Sequence, residues 1–257
     1  MTLSKRVWPY PRMIAHRGAG LNAPENTLSA MRYGAAHGYQ MFEYDVKLSR
    51  DDVPVLVHDD TLDRTSNATG VVNEYSLAQL SHYDFGAWHS NEYIGEPVLT
   101  LNGMANFSIP KGLHSNIEIK PNKGLEKHTG QIVAKQAQQL WQRASLPPVL
   151  SSFSIAALEA AASSAPELPR ALLIEQHQEV PVLIRQMHHL QCIGLNIDYR
   201  LLSPELLSAC GAEGLFVCVW TVNEVERIRA LFAQGVDAVI TDEVHCAPAD
   251  LSSGTLL

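Results

Sequence analysis

The feature that most constrains the fold is a regular alternation of short apolar segments with helix-like segments in the second half of the chain. Six strand-like segments, separated by helical patterns, occupy residues 116–120, 149–153, 171–175, 194–199, 215–222 and 238–241. Two more occupy residues 13–15 and 42–48, with a helical pattern over 27–37 between them. Eight strand-then-helix units in 257 residues favour a (β/α)8 TIM barrel over an open doubly wound sheet. The sequence contains neither a GxGxxG motif nor a P-loop, the nucleotide-binding motifs that would favour the open sheet.

Residues 42–59 read as a β-hairpin that carries acidic and histidine side chains. Glu43 and Asp45 are two residues apart, so they share one face of the first strand. If residues 51–52 form a two-residue turn, antiparallel pairing sets Asp45 opposite His58. Parallel neighbours need a crossover of a dozen or more residues, so the returning arm is not a barrel strand.

Residues 60–112 differ in character from the rest of the chain, because they lack strong periodicity. Residues 65–70 are turn-rich, and residues 77–80 predict one short helix. We therefore expect a single barrel domain over residues 1–257, with a small insertion after the hairpin. Long loops of this kind often cover a functional site.

Size and charge narrow the function classes. A hydrophobic content of 46% supports one large domain or two small ones. No apolar run is long enough for a membrane span, and residues 1–10 lack the apolar core of a signal peptide. The formal net charge of −8 argues against nucleic acid and against anionic membrane surfaces. We expect neither a nucleic-acid partner nor stable membrane association.

The cysteines suggest a reducing compartment. All four lie in the last third of the chain and none forms a CxxC pair: Cys192, Cys210, Cys218 and Cys246. We expect reduced, mostly buried thiols, which are typical of a cytoplasmic protein. Nothing in the sequence indicates an oligomeric state.

Charged side chains gather where the first predicted barrel strands and the returning hairpin arm end. These residues are His16, Arg17, Glu43, Asp45, His58, Glu118 and Lys120. In a TIM barrel, the carboxyl ends of the strands form the functional site. Buried charges are costly unless they are paired or bind metal. Rim salt bridges such as Glu118–Lys120 and Glu43–Arg17 are one explanation, but the full set exceeds what ion pairing needs.

Two kinds of chemistry fit this set. Three carboxylates without a cysteine suit one hard divalent cation, Mg²⁺ or Ca²⁺, and the sequence does not choose between them. Of the eleven histidines, His16 and His58 are the two that end strands beside carboxylates. An imidazole with an unperturbed pKa of about 6.5 suits proton transfer at neutral pH.

Five fragments of the chain resemble the glycerophosphodiester phosphodiesterases of the bacterial cytosolic type. They follow the family's order between about residue 13 and residue 242: 16–18 with 24–27, 43–46, 53–59, 116–121 and 219–223. The family usually has Asp-Gly at the hairpin turn, where this chain has Asp51-Asp52. Aspartate tolerates a positive φ better than most residues, so the hairpin still fits.

The resemblance implies a barrel with an insertion after the hairpin, and it implies a role for each site residue. A divalent metal is expected on Glu43, Asp45 and Glu118, with His16 and His58 as acid and base. Arg17 and Lys120 are expected to hold the phosphate, with Phe153 and Trp220 as an apolar wall against the glycerol or alcohol group.

The function we expect is metal-dependent hydrolysis of a small glycerophosphodiester to sn-glycerol 3-phosphate and an alcohol. His58 is assigned as base and His16 as acid, and the nucleophile is either water or the adjacent glycerol hydroxyl. Two alternatives stay open. One is a related barrel phospholipase of the C or D type that acts on intact lipid. The other is a non-catalytic barrel that binds a phosphorylated ligand.

Overall fold

The computed structural model describes residues 7–251, which contain nine strands and eight α-helices. The strands are β1 Met13–Ala15, β2 Met41–Leu48, β3 Pro54–Leu56, β4 His114–Ile119, β5 Val149–Ser152, β6 Arg170–Ile174, β7 Gly194–Asp198, β8 Phe216–Trp220 and β9 Ala238–Thr241. The helices are α1 Leu28–Ala36, α2 Leu77–Leu80, α3 Leu101–Ser108, α4 Glu126–Leu140, α5 Ile155–Ser164, α6 Val180–His189, α7 Pro204–Ala212 and α8 Val225–Gln234.

Eight of these strands close into a parallel barrel, and the ninth forms the hairpin arm. The barrel order is β1, β2, β4, β5, β6, β7, β8 and β9, and β9 pairs again with β1. The arm β3 pairs with β2 in the antiparallel direction. The predicted (β/α)8 barrel, with a hairpin after its second strand, is therefore confirmed.

Apolar side chains fill the barrel interior towards the amino ends of the strands. This inner cluster includes Ile14, Met41, Val149, Ala171, Cys218, Ala238 and Ile240. The residues before β1 cover that end, because the Trp8 ring contacts the Phe216 ring at 5.1 Å. The Tyr10 hydroxyl also donates to the Pro147 carbonyl at 2.9 Å. With this end sealed, the interior opens at the carboxyl ends of the strands.

The segment after the hairpin has an apolar cluster of its own. It unites the returning arm with the loops that follow, through Val55, Val57, Leu62, Ala68, Val72, Leu80, Phe85 and Val98. The predicted helix at 77–80 is present as α2. Leu101 and Met104 of α3 instead belong to the main core. The apolar cluster of the insertion therefore ends before α3. The prediction of an aperiodic segment up to residue 112 missed this helix. The assignment of one domain with this insertion stays a prediction.

The hairpin register differs from the prediction by one residue. Val46 pairs with Leu56 and Leu48 pairs with Pro54, so Asp45 does not lie opposite His58. The reason is a three-residue turn, in which Ser49 and Val53 face each other through a 3.0 Å backbone hydrogen bond. Asp52 takes a positive φ of 59° in that turn. A type I turn followed by a left-handed residue is a common three-residue hairpin loop.

Within residues 7–251, no helix combines the length and the apolar character needed to cross a bilayer. The four cysteines are free, and three of them are buried. The expectation of mostly buried thiols agrees with this, and their reduced state stays a prediction.

Candidate active site

Three carboxylates from two neighbouring strands converge at the open end of the barrel. Glu43 and Asp45 of β2 are 3% and 1% exposed, and Glu118 of β4 is 8% exposed. One oxygen from each of the three lies within 4.8 Å of the others. Strand pairing explains this proximity, because Asp45 lies directly beside Glu118 in the parallel register. Among the described residues, no hydrogen-bond partner reaches the buried Oε1 atom of Glu43.

Burial, neighbouring carboxylates and two nearby cations shift the pKa values of these three groups apart. Burial raises the pKa of Glu118 to about 7, and the neighbouring Asp45 charge adds to the effect. Burial and the charges of Asp45 and Glu118 also raise the pKa of Glu43 well above its usual value. Burial opposes ionisation of Asp45 too, but Arg17 and Lys120 outweigh it and lower its pKa. Such a cluster favours a group of positive charge between its members.

Two cations lie against this cluster. The Arg17 Nε atom is 3.3 Å from Asp45 Oδ2, and the Lys120 Nζ atom is 3.2 Å from Glu118 Oε1. The rim pair Glu118–Lys120 is therefore present. Glu43 meets Arg17 differently, because the backbone N–H of Arg17 donates to Glu43 Oε2 at 3.2 Å. Arg17 has a positive φ of 51°, which turns this N–H towards the site and leaves the guanidinium for other partners.

Asn26 supports one of these carboxylates, Asp45, from the loop before α1. Its amide donates to Asp45 Oδ2 at 2.8 Å, and its Oδ1 atom accepts from the Asp45 backbone N–H at 3.1 Å. Thr27 caps α1 by accepting from the Ala30 backbone N–H.

His16 lies between two carboxylates. Its Nδ1 atom is 2.6 Å from Asp242 Oδ1, and its Nε2 atom is 3.7 Å from Glu43 Oε2. Asn223 holds Asp242, because Asn223 Oδ1 accepts from the Asp242 backbone N–H at 2.9 Å. Burial opposes ionisation of Asp242, but its hydrogen bonds from His16 and Asn223 lower its pKa below the usual value. An ionised Asp242 fixes the Nδ1–H tautomer of His16.

His58 reaches the same pocket from the end of the hairpin. Its Nδ1 atom is 2.6 Å from Asp59 Oδ1, and its Nε2 atom is 2.7 Å from Lys120 Nζ. Because an ammonium group can only donate, His58 Nε2 accepts and the ring is neutral. Burial lowers the pKa of His58 in the same direction, against the opposing charge of Asp45.

Arg64 links this arrangement to the loop between β1 and α1. Its guanidinium donates to both Asp59 oxygens, at 2.7 and 2.9 Å. It also donates to both Glu25 oxygens, at 2.7 and 2.8 Å. Glu25 in turn accepts from Arg17 Nη1 at 2.8 Å. One insertion residue thus links the partner of His58 to the partner of Arg17.

Phe153 and Trp220 stand on the other side of the mouth. Their rings meet edge to face with centroids 5.7 Å apart, and the Trp220 indole donates to the Asn196 carbonyl at 3.1 Å. Glu175 is exposed at the rim, whereas Asp198 pairs with Arg200. Asp198 therefore points its charge at a neighbouring side chain.

All nine predicted site residues lie at this end of the barrel. Eight of them line one pocket of about 210 Å³, and Asp45 lies directly behind them. Sequence reasoning missed Asp242, Asn223, Glu25 and Arg64. Asp242 follows the last strand, so the strand-end rule could have found it. Arg64 belongs to an aperiodic loop and carried no comparable signal.

Comparisons with known proteins agree with this geometry. The profile of the glycerophosphoryl diester phosphodiesterase family matches residues 16–245. A glycerophosphodiester phosphodiesterase from Caldanaerobacter subterraneus is 31% identical over 238 residues, covering 90% of this chain and 93% of its own. The mouse glycerophosphodiester phosphodiesterase 1 is 27% identical and covers 91% of this chain and 79% of its own.

Solved structures give the same result. A phosphodiesterase from Oleispira antarctica, solved in complex with the product sn-glycerol-3-phosphate, superposes with a TM-score of 0.86 at 32% identity. The match covers 95% of this chain and 96% of that one. A glycerophosphodiester phosphodiesterase from Agrobacterium tumefaciens shares the fold with a TM-score of 0.74 at 23% identity, covering 95% of this chain and 99% of that one. The chain is a member of the glycerophosphoryl diester phosphodiesterase family of hydrolases.

Proposed function

We propose that this enzyme hydrolyses small glycerophosphodiesters to sn-glycerol 3-phosphate and an alcohol, with one divalent cation and two histidines. The observation that carries the proposal is the convergence of two cations, two histidines and three carboxylates at one pocket, with Asp45 directly behind its lining. Family membership supplies the reaction class, and the relative from Oleispira antarctica is described with sn-glycerol-3-phosphate as its product.

Glu43, Asp45 and Glu118 fit a hard divalent cation. The atoms that they offer to a metal are all oxygens within 4.8 Å of one another. Glu43 also has a buried oxygen that lacks a hydrogen-bond partner in residues 7–251. Oxygen-only ligand sets suit Mg²⁺ and Ca²⁺. When bound, such a cation supplies Lewis-acid polarisation of the phosphoryl group and neutralises the crowded carboxylates.

Arg17 and Lys120 are placed to bind the phosphate oxygens. Both side chains line the pocket and lie beside the carboxylates. In a pocket that excludes water, fixed cations stabilise the extra negative charge of the transition state more strongly than water does.

The two histidines divide the proton transfers. His58 is neutral with an accepting Nε2, so we assign it as the base that takes a proton from the nucleophile. That nucleophile is water, or it is the adjacent glycerol hydroxyl, which forms a cyclic phosphate that water then opens to sn-glycerol 3-phosphate. As its oxygen bonds to phosphorus, the bond from phosphorus to the alcohol oxygen breaks. His16 acts in its doubly protonated form, in which Nδ1–H donates to the ionised Asp242 and Nε2 gives its proton to the departing alkoxide.

A coupled assay for glycerol 3-phosphate tests the proposal. Glycerophosphocholine, glycerophosphoethanolamine and glycerophosphoglycerol are compared in the presence of Mg²⁺, of Ca²⁺, and of EDTA. We expect turnover that EDTA abolishes and that added cation restores. Full activity in EDTA contradicts the metal dependence, and absence of glycerol 3-phosphate from all three substrates contradicts the reaction.

One surface feature favours the phospholipase alternative enough to test it. Leu21, Trp88 and Ile94 are 70%, 39% and 65% exposed. His89 links two of them, since its Nε2 donates to the Leu21 carbonyl at 3.0 Å and its ring centroid lies 5.6 Å from that of Trp88. Exposed apolar groups beside a site can dock on lipid. Faster turnover of lysophosphatidylcholine in vesicles than of glycerophosphocholine would favour this alternative.

A further inference from the structure

A buried lysine lies one step beyond the two carboxylates of β2. Lys47 follows Asp45 by two residues, so their side chains share a face of the strand. Lys47 is only 1% exposed, and within residues 7–251 the side chains that line the candidate pocket do not include it. A buried ammonium group destabilises a fold unless it is paired. The proposed reaction does not use this cation.

The Lys47 ammonium has two partners, which belong to different segments of the chain. Its Nζ atom donates to Asp60 Oδ1 at 2.5 Å and to the backbone carbonyl of Lys120 at 3.2 Å. Asp60 lies just after the hairpin arm, where the insertion begins. Its side chain is 60% exposed, whereas that of Lys47 is buried. Asp60 thus holds the ammonium from the outer side, and the ammonium holds the Lys120 carbonyl on the inner side.

The Lys120 backbone is bound to β2 through both of its peptide groups. Lys120 is the first residue after β4, and its N–H donates to the Val46 carbonyl at 3.0 Å. Its carbonyl accepts from the Lys47 ammonium. The main chain of Val46 and the side chain of Lys47 therefore fix the peptide groups before and after the Lys120 Cα atom.

The Lys120 side chain depends on this fixed backbone, because its ammonium has three neighbours at once. The Nζ atom lies 2.7 Å from His58 Nε2, 3.2 Å from Glu118 Oε1 and 3.6 Å from Asp45 Oδ1. Lysine has a long flexible stem, so a shift of its Cα atom moves the charge away from all three. A charged group that is held in place stabilises the transition state without reorganisation.

We propose that Lys47 is a positioning residue for Lys120: its buried ammonium, held by Asp60, fixes the Lys120 backbone so that the Lys120 side chain reaches the phosphate. This rests on the proposed function, in which Lys120 binds the phosphate. Lys47 acts on the reaction only through Lys120 and does not touch the substrate. Through Asp60, the insertion also supports the phosphate site.

A double-mutant cycle tests whether Lys47 acts through Lys120. Lys47→Met removes the ammonium at similar side-chain length, and it is made in the wild type and in Lys120→Met. The control Arg170→Met removes another buried cation, 2% exposed, from the amino end of β6, where it donates to the Leu168 carbonyl at 2.7 Å. We measure kcat and KM on glycerophosphocholine, the binding of inorganic phosphate by calorimetry in Mg²⁺ buffer, and Tm.

We expect Lys47→Met to lower kcat/KM about tenfold and to weaken phosphate binding about tenfold, as for a lost hydrogen bond from a charged group. In Lys120→Met, the same change should alter both values by less than about twofold, because the group that Lys47 positions is gone. Arg170→Met should lower Tm and leave kcat, KM and phosphate binding unchanged.

Asp60→Ala tests the same support if Lys47→Met does not fold. The Asp60 side chain is mostly exposed, so its removal leaves the core intact. Because the ammonium then loses its outer partner, kcat/KM should fall about 3- to 10-fold. The matched control is Asp63→Ala, which removes an exposed carboxylate of the same segment whose partner is the Gly70 N–H. This control should leave kcat/KM unchanged.

An equal loss of phosphate affinity in both backgrounds overturns the inference, because Lys47 would then act apart from Lys120. A lower Tm with unchanged kcat/KM and phosphate binding in Lys47→Met, or unchanged kcat/KM in Asp60→Ala, assigns Lys47 a structural role and also overturns it. So does phosphate binding that Lys120→Met leaves unchanged.

Failure of the wild-type enzyme to hydrolyse glycerophosphocholine would instead count against the proposed function. The calorimetric cycle still tests the role of Lys47 in that case, because phosphate binding needs no turnover.

Discussion

The two histidines of the site are oriented by different parts of the molecule. His16 follows the first barrel strand, and its partner Asp242 follows the last one, 226 residues away in sequence. Closure of the barrel between β1 and β9 brings them together. Asn223 then fixes both the backbone and the carboxylate of Asp242. Orientation of His16 is therefore a property of the complete barrel.

His58 is oriented by its immediate neighbour and by the insertion. Its partner Asp59 is the next residue, and Arg64 from the following loop grips Asp59. The Arg64 side chain is 44% exposed, whereas the Asp242 side chain is 21% exposed. Orientation of His58 thus rests on an exposed clamp that can change without altering the barrel. The same fold thus supplies a fixed orientation for His16, the proposed acid, and an adjustable one for His58, the proposed base.

The largest effect is expected from removing either imidazole. His16→Ala and His58→Ala should each lower kcat on glycerophosphocholine by ~10²–10⁴ with the fold intact. If His16 is the acid, its loss should matter far less on bis(p-nitrophenyl) phosphate, because p-nitrophenolate leaves without a proton. His58→Ala should be equally damaging on both substrates. His189→Ala, an exposed histidine of α6, serves as the control.

Near-normal turnover of glycerophosphocholine by His16→Ala would remove the two-histidine scheme. Equal losses on both substrates for both variants would leave the acid unassigned to His16. A smaller loss on bis(p-nitrophenyl) phosphate than on glycerophosphocholine in His58→Ala, with equal losses in His16→Ala, would exchange the two roles.

Next in size is the exchange of each carboxylate for its amide. Asp242→Asn should lower kcat by ~10- to 100-fold, the value of a charge-assisted hydrogen bond. Asp59→Asn should fall at the lower end of that range, because Asp59 and Arg64 are 28% and 44% exposed and can rearrange with water. Steady-state kinetics at saturating substrate and Mg²⁺ measure both. A larger loss in Asp59→Asn would contradict the contrast between a fixed acid and an adjustable base.

Arg64→Met tests the clamp itself. We expect kcat to fall by about 3- to 10-fold, with little change in KM, because Arg64 orients His58 through Asp59 and does not touch substrate. Arg64→Lys keeps the charge but not the bidentate fork, and should recover only part of the activity. Full activity in Arg64→Met would show that the clamp has no positioning role.

The loss of thermal stability in Arg64→Met should depend on pH. The hydrogen bonds and charge of Arg64 lower the pKa of Asp59 below its usual value, against the opposing effect of burial. A depressed carboxylate pKa stabilises the fold at pH values above its unfolded pKa of about 3.9. This stability is lost as pH falls through the lower, folded value. The Tm difference between wild type and Arg64→Met should therefore persist from pH 7 to 5 and narrow below about pH 4. A constant difference across this range would contradict it.

Backbone geometry explains which parts of the site were predictable. Alternation along a strand is obligatory, so spacing alone put Glu43 and Asp45 on one face, and the barrel rule brought Glu118 beside them. The hairpin register was not fixed in this way. Ser49 donates its hydroxyl to Asp51 and accepts from the Val53 N–H, which sets a three-residue turn that strand propensities do not encode.

The residues that sequence reasoning missed belong to the two histidines in turn: Asp242 orients His16, and Arg64 acts on His58 through Asp59. Asp242 obeys the strand-end rule that identified Glu118, so a wider application of the rule would have included it. Arg64 lies in a segment without periodicity, and its four carboxylate contacts depend on a loop path that only tertiary packing determines. Fixed parts of the site follow from strand periodicity, and adjustable parts do not.

The smallest effect is expected at Asn223, one step behind Asp242. Its Oδ1 atom accepts from the Asp242 N–H at 2.9 Å, and its amide donates to Asp242 Oδ2 at 3.3 Å. Asn223→Ala removes both bonds but keeps the Asp242 charge, so kcat should fall only about threefold. Because the variant acts through His16, the loss should shrink on bis(p-nitrophenyl) phosphate, as in His16→Ala. A loss that is equal on both substrates would show that Asn223 does not act through His16, and Asp242 alone would then orient that histidine.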